Sequence, residues 1–194
     1  MRAILFIVPI LTALCLSGCV GIFGHKQNQQ YEDLDPGLVR EVRALGNRNW
    51  IVIADESFPL HTRRGVRTLL VDKEIPEVLS GVIDVLESQQ HVSPVFYRTR
   101  ELGFVENDAA PGIDVYRKAI TESLRGYEIR DFQYRYLSVV LEDDSKTFAV
   151  LVIKTKTALP YSSIFIELDS GFWDQRSEQK LRSKMEAQDP SSNS

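Results

Sequence analysis

Apolar positions along this chain change period several times, and each change marks an element. Asp35-Pro36 reads as an N-cap followed by Pro at the first helical position; Leu38, Val39, Val42 and Leu45 follow at helical spacing, and Gly46 closes the helix. Trp50 to Ala54 (WIVIA) is a continuous apolar run, as expected of a strand buried on both faces. Thr68 to Val71 is a second strand candidate. Ile75, Val78, Leu79, Val82, Ile83 and Leu86 then predict a helix from Pro76 to about Ser88. Pro94 to Tyr97 reads as a strand, and Ile113 to Arg125 as a helix whose inner face carries Tyr116, Ala119, Ile120 and Leu124. Tyr127 to Phe132, Phe148 to Ile153 and Ile164 to Leu168 complete the strands, while Tyr134 to Lys146 fits either a helix or the first half of a hairpin turning at Asp143-Asp144. Strands alternating with helices predict one α/β domain over residues 35–173, a mixed, mostly parallel sheet flanked by helices. Residues 174–194 are polar and end in Pro190-Ser191-Ser192-Asn193-Ser194, the composition of a frayed tail.

Composition narrows the classes further. The 194 residues are 43% hydrophobic, enough for one well-packed core, with 23 basic against 27 acidic side chains. A formal charge of -4 gives no electrostatic reason to expect nucleic acid as a partner. The two cysteines, Cys15 and Cys19, exclude a disulfide framework and a Cys-built zinc site.

The N-terminus departs from this uniformity. Met1-Arg2 is a short basic start, and Ala3 to Leu16 is apolar, a length that suits a signal-peptide core and is too short for an ordinary transmembrane helix. The run ends in Leu16-Ser17-Gly18-Cys19, which resembles a bacterial lipobox. The resemblance implies a signal peptide over 1–18 and acylation of Cys19, whose several acyl chains make a stable anchor where one would be marginal. Val20 rather than Asp after the Cys implies the outer membrane, facing the periplasm. Residues 19–34 then form a lipidated tether without a periodic apolar face, carrying a solvated His25. Removing residues 1–18 takes away one base, Arg2, and no acid, and it also removes Cys15.

Candidate chemistry gathers just after the first strand. Ligands in open α/β sheets bind beyond the carboxyl ends of strands, and Asp55 directly follows Trp50 to Ala54. Glu56-Ser57-Phe58-Pro59-Leu60-His61 adds a carboxylate, a hydroxyl and an imidazole. Trp50, Phe58, Tyr97 and Phe148 are expected to pack in the core, and His91, in a helix-to-strand loop, to be solvated. Glu142-Asp143-Asp144 lacks the alternating ligand spacing of a calcium loop. Ser162-Ser163 lacks the surroundings of a hydrolase nucleophile, and a Gly-rich phosphate loop is absent from the sequence.

The spacing Leu45-Gly46-Asn47-x-x-Trp50-Ile51-Val52-Ile53-Ala54-Asp55-x-x-Phe58-Pro59-x-His61 resembles the RbsD/FucU family of ribose pyranases and fucose mutarotases. Val115-Tyr116-Arg117-Lys118-Ala119 is similar to a Tyr-Arg segment of the fucose branch. Phe148 to Val150, Val152 to Thr155 and Pro160-Tyr161-Ser162-Ser163-Ile164 resemble the family's last two strands, with Gly171 at the closing Gly. The resemblance spans roughly residues 35–172. It implies a monosaccharide pocket, interconversion of sugar ring forms, and neither a metal nor an organic cofactor. Such a reaction delivers a proton to the ring oxygen and removes one from the anomeric hydroxyl, work for paired groups that titrate near neutrality. Asp55 would accept hydrogen bonds from sugar hydroxyls, Tyr161 would offer a ring face or phenol, and Ser163 would line the same pocket. An Arg of the fucose branch corresponds to Arg130, with Arg135 as the competing position. Family members assemble as toroidal decamers with sites near subunit contacts, which implies a homo-oligomer.

Three residues depart from the family pattern. Asn47 stands where the family has its proton-donating His, and an amide does not exchange a proton at neutral pH. Ser163 replaces an Asn, and Lys156-Thr157 replaces a Gly-Glu turn. His61 then becomes the acid/base candidate, since imidazole is the side chain suited to proton transfer near neutrality. The sequence supports two readings: a sugar mutarotase or pyranase, and a family member that binds sugar or a partner without turnover.

Overall fold

The computed structural model describes residues 34–188, so the expected signal peptide, Cys19, His25 and all but the last residue of the tether lie outside the described residues. In chain order the elements are α1 (Pro36–Arg43), β1 (Trp50–Ala54), β2 (Val66–Leu70), α2 (Ile75–Glu87), β3 (Val92–Thr99), a short 3-10 turn (Arg100–Phe104), α3 (Ile113–Ser123), β4 (Ile129–Phe132), α4 (Tyr134–Asp144), β5 (Val150–Lys154), β6 (Ile164–Ser170) and α5 (Gln175–Gln188). The sheet order is β2-β5-β1-β6-β3-β4. β2, β5 and β1 run parallel, β3 and β4 run parallel, and β6 lies antiparallel to both β1 and β3. Five strands therefore share one direction and β6 alone opposes them, in agreement with a mixed, mostly parallel sheet.

Alternation along the central strands divides the core into two layers. Ile51, Ile53, Phe96, Leu151, Ile153, Ile164 and Ile166 face α1, α2 and α3, meeting Val42, Val78, Leu79, Val82, Ile113 and Ile120. Trp50, Val52, Tyr97, Val150, Val152 and Phe165 face the other way, against Leu137 and Leu141 of α4. Every residue of β1 is buried, because helices cover both faces of this central strand. Asp35 caps α1 by accepting from Gly37 N at 2.8 Å and Leu38 N at 3.2 Å.

Several expectations need correction. The ambiguous stretch from Tyr134 is the helix α4 and not half a hairpin; Trp50 Nε1 donates to Asp144 Oδ2 at 2.7 Å, tying its last turn to the sheet. β2 starts at Val66, two residues before the expected strand, because this edge strand is only half-buried and carries a weak apolar signal. β3 runs on to Thr99, well past Tyr97. The polar segment after Trp173 is not frayed over its first part but forms α5, begun by Asp174 Oδ1 accepting from Ser177 N at 2.7 Å and braced by Glu178–Arg182 at 2.7 Å. His91 is not left to solvent alone: its Nε2 lies 3.1 Å from Leu45 O.

Candidate functional site

The antiparallel strand decides where the polar residues meet. β1 and β3 end, and β6 begins, on the same edge of the sheet, and the register sets Ile164 opposite both Ile53 and Arg98. Asp55 and Thr99 therefore leave their strands on either side of the segment that leads into β6. Asp55 is 7% exposed. Its Oδ1 accepts from Ser57 N at 2.9 Å and Ser57 Oγ at 2.6 Å, and its Oδ2 accepts from Ser163 Oγ at 2.7 Å. Ser163 Oγ in turn accepts from Asp55 N at 3.1 Å, so the two residues hold each other from both sides. A carboxylate offers about four acceptor positions. Three are filled, and Oδ2 keeps one for a ligand.

The facing wall comes from Tyr161, which takes a left-handed conformation with φ of 59°. A non-glycine residue there costs about 1–3 kcal/mol unless its surroundings enforce it. Two hydroxyls from other elements do so. Thr99 Oγ1 donates to Tyr161 O at 2.7 Å, and the Tyr116 phenol of α3 donates to Ser162 O in a short bond. Burial raises the Tyr116 phenol far above its usual range, and the negative charge of Asp55 adds to the effect. Tyr134, first residue of α4, stands edge-on to Tyr161 with ring centroids 6.3 Å apart. Its backbone N–H donates to both oxygens of Glu101, at 3.1 and 3.0 Å. These walls enclose a cavity of about 320 Å³ between Asp55, Ser57, Phe58, Thr99, Tyr134 and Tyr161. That lies at the small end of ligand-site volumes.

Of the residues singled out in the sequence, Asp55, Tyr161 and Ser163 converge on this cavity. His61 does not line it; its ring centroid is 5.8 Å from that of Phe58, which does. Asn47 is exposed before β1, at the opposite end of that strand from Asp55. At about 3.3 Å per strand residue, the two ends of β1 lie roughly 13 Å apart, so Asn47 and Asp55 of one chain do not meet. Arg130, on β4, donates from Nη1 to the Tyr97 hydroxyl at 3.3 Å and from Nε to Glu128 at 3.2 Å, away from the cavity. Arg135 is exposed on α4. Thr99, Tyr134 and the Tyr116 clamp were not read from the sequence. Thr99 ends a strand on the edge where ligands bind, and that rule would have found it had β3 been extended. Tyr134 becomes visible only when its segment is taken as a helix.

A second cavity of about 320 Å³ opens at the amino ends of β2 and β5, lined by Glu41, Arg64, Arg67 and Phe148 among others. Arg67 pairs with Glu41 within it at 2.7 Å, and Arg48 sits 4.3 Å over the Phe148 ring. Among the described residues, no group of three or more His, Cys, Asp or Glu side chains is placed to hold a metal ion.

A mixed sheet covered on both faces, with a buried carboxylate where its strands end, defines an α/β ligand-binding domain. The sequence places it within a family: it matches the RbsD / FucU transport protein family over residues 29–171, and the chain belongs to that family. The fucose mutarotase of Streptococcus pneumoniae, solved in complex with L-fucose, is similar in fold with a TM-score of 0.50 and 19% identity, covering 73% of this chain and 97% of that one. Bacillus subtilis RbsD, solved with D-ribose, has a TM-score of 0.48 and 20% identity, covering 70% and 93%. No curated protein matches the sequence.

Proposed function

We propose that this chain binds a monosaccharide in the Asp55 cavity and interconverts its ring forms, as a mutarotase or pyranase. One observation carries the reading: Asp55 is buried, oriented by Ser57 and Ser163, and keeps an acceptor position open to a cavity walled by Tyr134 and Tyr161. Aromatic walls around a few fixed polar groups suit a sugar, whose C–H faces are apolar and whose edges are hydroxylated. Family membership supports the same substrate class. In this reading Asp55 fixes a sugar hydroxyl, while His61, whose ring lies 5.8 Å from that of Phe58, supplies and removes the protons. Asn47 reaches such a site only from a second copy of the chain, which accords with an oligomer. The reading also carries an acylated Cys19 that holds the domain on the periplasmic side of the outer membrane, supported by the Leu16-Ser17-Gly18-Cys19 motif.

A second reading, binding without turnover, is favoured by Asn47, an amide at the position of the family's proton donor. Saturation-transfer NMR of anomer exchange on ribose, fucose and other aldoses, using the full chain in detergent, separates the two. Exchange above the buffer rate, abolished in His61→Ala, is the expected result. Binding with exchange at the buffer rate would leave only the second reading, and no binding would sink both. For the anchor, incorporation of a clickable palmitate analogue is expected in the native chain and not in Cys19→Ser.

A further inference from the structure

The cavity carries one carboxylate and no cationic side chain, and that imbalance bears on which sugar it takes. Three of its side-chain hydroxyls already donate inward: Ser57 Oγ to Asp55 at 2.6 Å, Ser163 Oγ to Asp55 at 2.7 Å, and Thr99 Oγ1 to Tyr161 O at 2.7 Å. What these groups still present to a ligand is lone pairs. No lysine, arginine or histidine lines the cavity, and Asp55 makes no ion pair among the described residues. Buried carboxylates are ordinarily paired with a cation or bound to a metal, because an uncompensated charge away from water is costly. Here three neutral donors hold the carboxylate in place and none cancels its charge. That charge is felt at a neighbouring group: after burial it helps to hold the Tyr116 phenol in its protonated form, against a smaller opposing effect of Arg98, which is paired with Asp131. Tyr134, Tyr161 and Phe58 also line the cavity, and aromatic faces favour a cation.

We propose that the sugar recognised at Asp55 is an amino-deoxy monosaccharide, its ammonium group seated against the open position of Asp55 Oδ2. The inference rests on the sugar-site reading above and deepens it. A sugar hydroxyl donates one hydrogen bond to Oδ2 and leaves the charge in place. An ammonium donates three, one of them to Oδ2, and neutralises the carboxylate as it does so.

Isothermal titration of the full chain in detergent at pH 6.5 tests this. The probes are the 2-, 3-, 4- and 6-amino-deoxy forms of glucose and galactose, the parent sugars, and the N-acetylated form of each amine. At least one amino-deoxy sugar is expected to bind ten-fold or more tightly than its parent, with the gain removed by N-acetylation. The preference should decline at alkaline pH, where the amine loses its proton. In Asp55→Asn, of the same shape but neutral, amine and parent affinities should converge. Parent sugars binding as tightly as every amine would overturn the inference and leave the sugar site standing. Failure of every sugar to bind, charged or neutral, would overturn the sugar site and the inference together.

Discussion

Two hydroxyls far apart in sequence, on Thr99 and Tyr116, secure consecutive carbonyls of the left-handed turn at Tyr161. Each bond is worth about 1 kcal/mol net, comparable to the strain it offsets. Removing either should loosen Tyr161 and Ser163 before it unfolds the domain. Tyr116→Phe and Thr99→Val are each expected to weaken sugar affinity about five-fold by titration calorimetry while lowering Tm by only a few degrees, and Thr99→Ser should restore binding. A loss of stability with affinity unchanged would show that the clamp supports the fold and not the site. A different buried phenol contributes to the loss of stability at alkaline pH. Burial first, then the hydrogen bond to Glu167 and its charge, push Tyr97 from 10.0 up to about 12, with Arg130 opposing. The folded state holds a proton that the unfolded chain releases near pH 10, so this contribution is complete below pH 10 and is lost as pH rises toward 12. Urea midpoints measured between pH 9 and 12 should fall less steeply in Tyr97→Phe than in the native chain.

At the scale of elements, legibility followed burial. β1 was readable to the residue because all five of its positions are covered, whereas β2, half-buried at an edge, slipped by two. α4 defeated the periodicity argument because Leu137 and Leu141 are its only buried residues, while Tyr136 and Val139 are exposed apolar positions that blur the stripe. α5 has no apolar stripe against the body; local caps and an i,i+4 pair hold it, and such signals are weak beside a polar composition. For the site, Asp55, Tyr161 and Ser163 could be named from motif and strand end, but the partners that fix them come from α3 and β3, and no local pattern links those to residue 161. Gly171 was legible as the close of β6, and its reason is now geometric. A Cβ there would press into the carbonyl of Gln90 and lie 2.9 Å from Val92 N and Val92 O. Because those atoms are backbone, Gly171→Ala is expected to cost about 1–3 kcal/mol, measured by urea denaturation. An unchanged midpoint would mean that the β3–β6 junction shifts freely.

For the molecule as a whole, the family match ends at residue 171 and α5 lies beyond it, with none of its residues buried through 187. Truncation after Asp174 should therefore leave the domain intact, with Tm changed by less than about 2 °C by calorimetry, in keeping with the small effect of surface changes. A larger fall would mean that α5 packs on the body in solution. β6 is a different matter. It alone bridges β2-β5-β1 and β3-β4, two parallel groups with no ladder between them once it is removed. It is also the last strand to be synthesised. β3 and β4 can pair as soon as residue 132 is made, but β1 and β2 have no ladder until β5 lies between them, and nothing joins the two groups until residues 164–170 are available. Closure of the sheet therefore awaits its last strand, and the inner edges of β1 and β3 stay open to any competing strand until β6 docks between them.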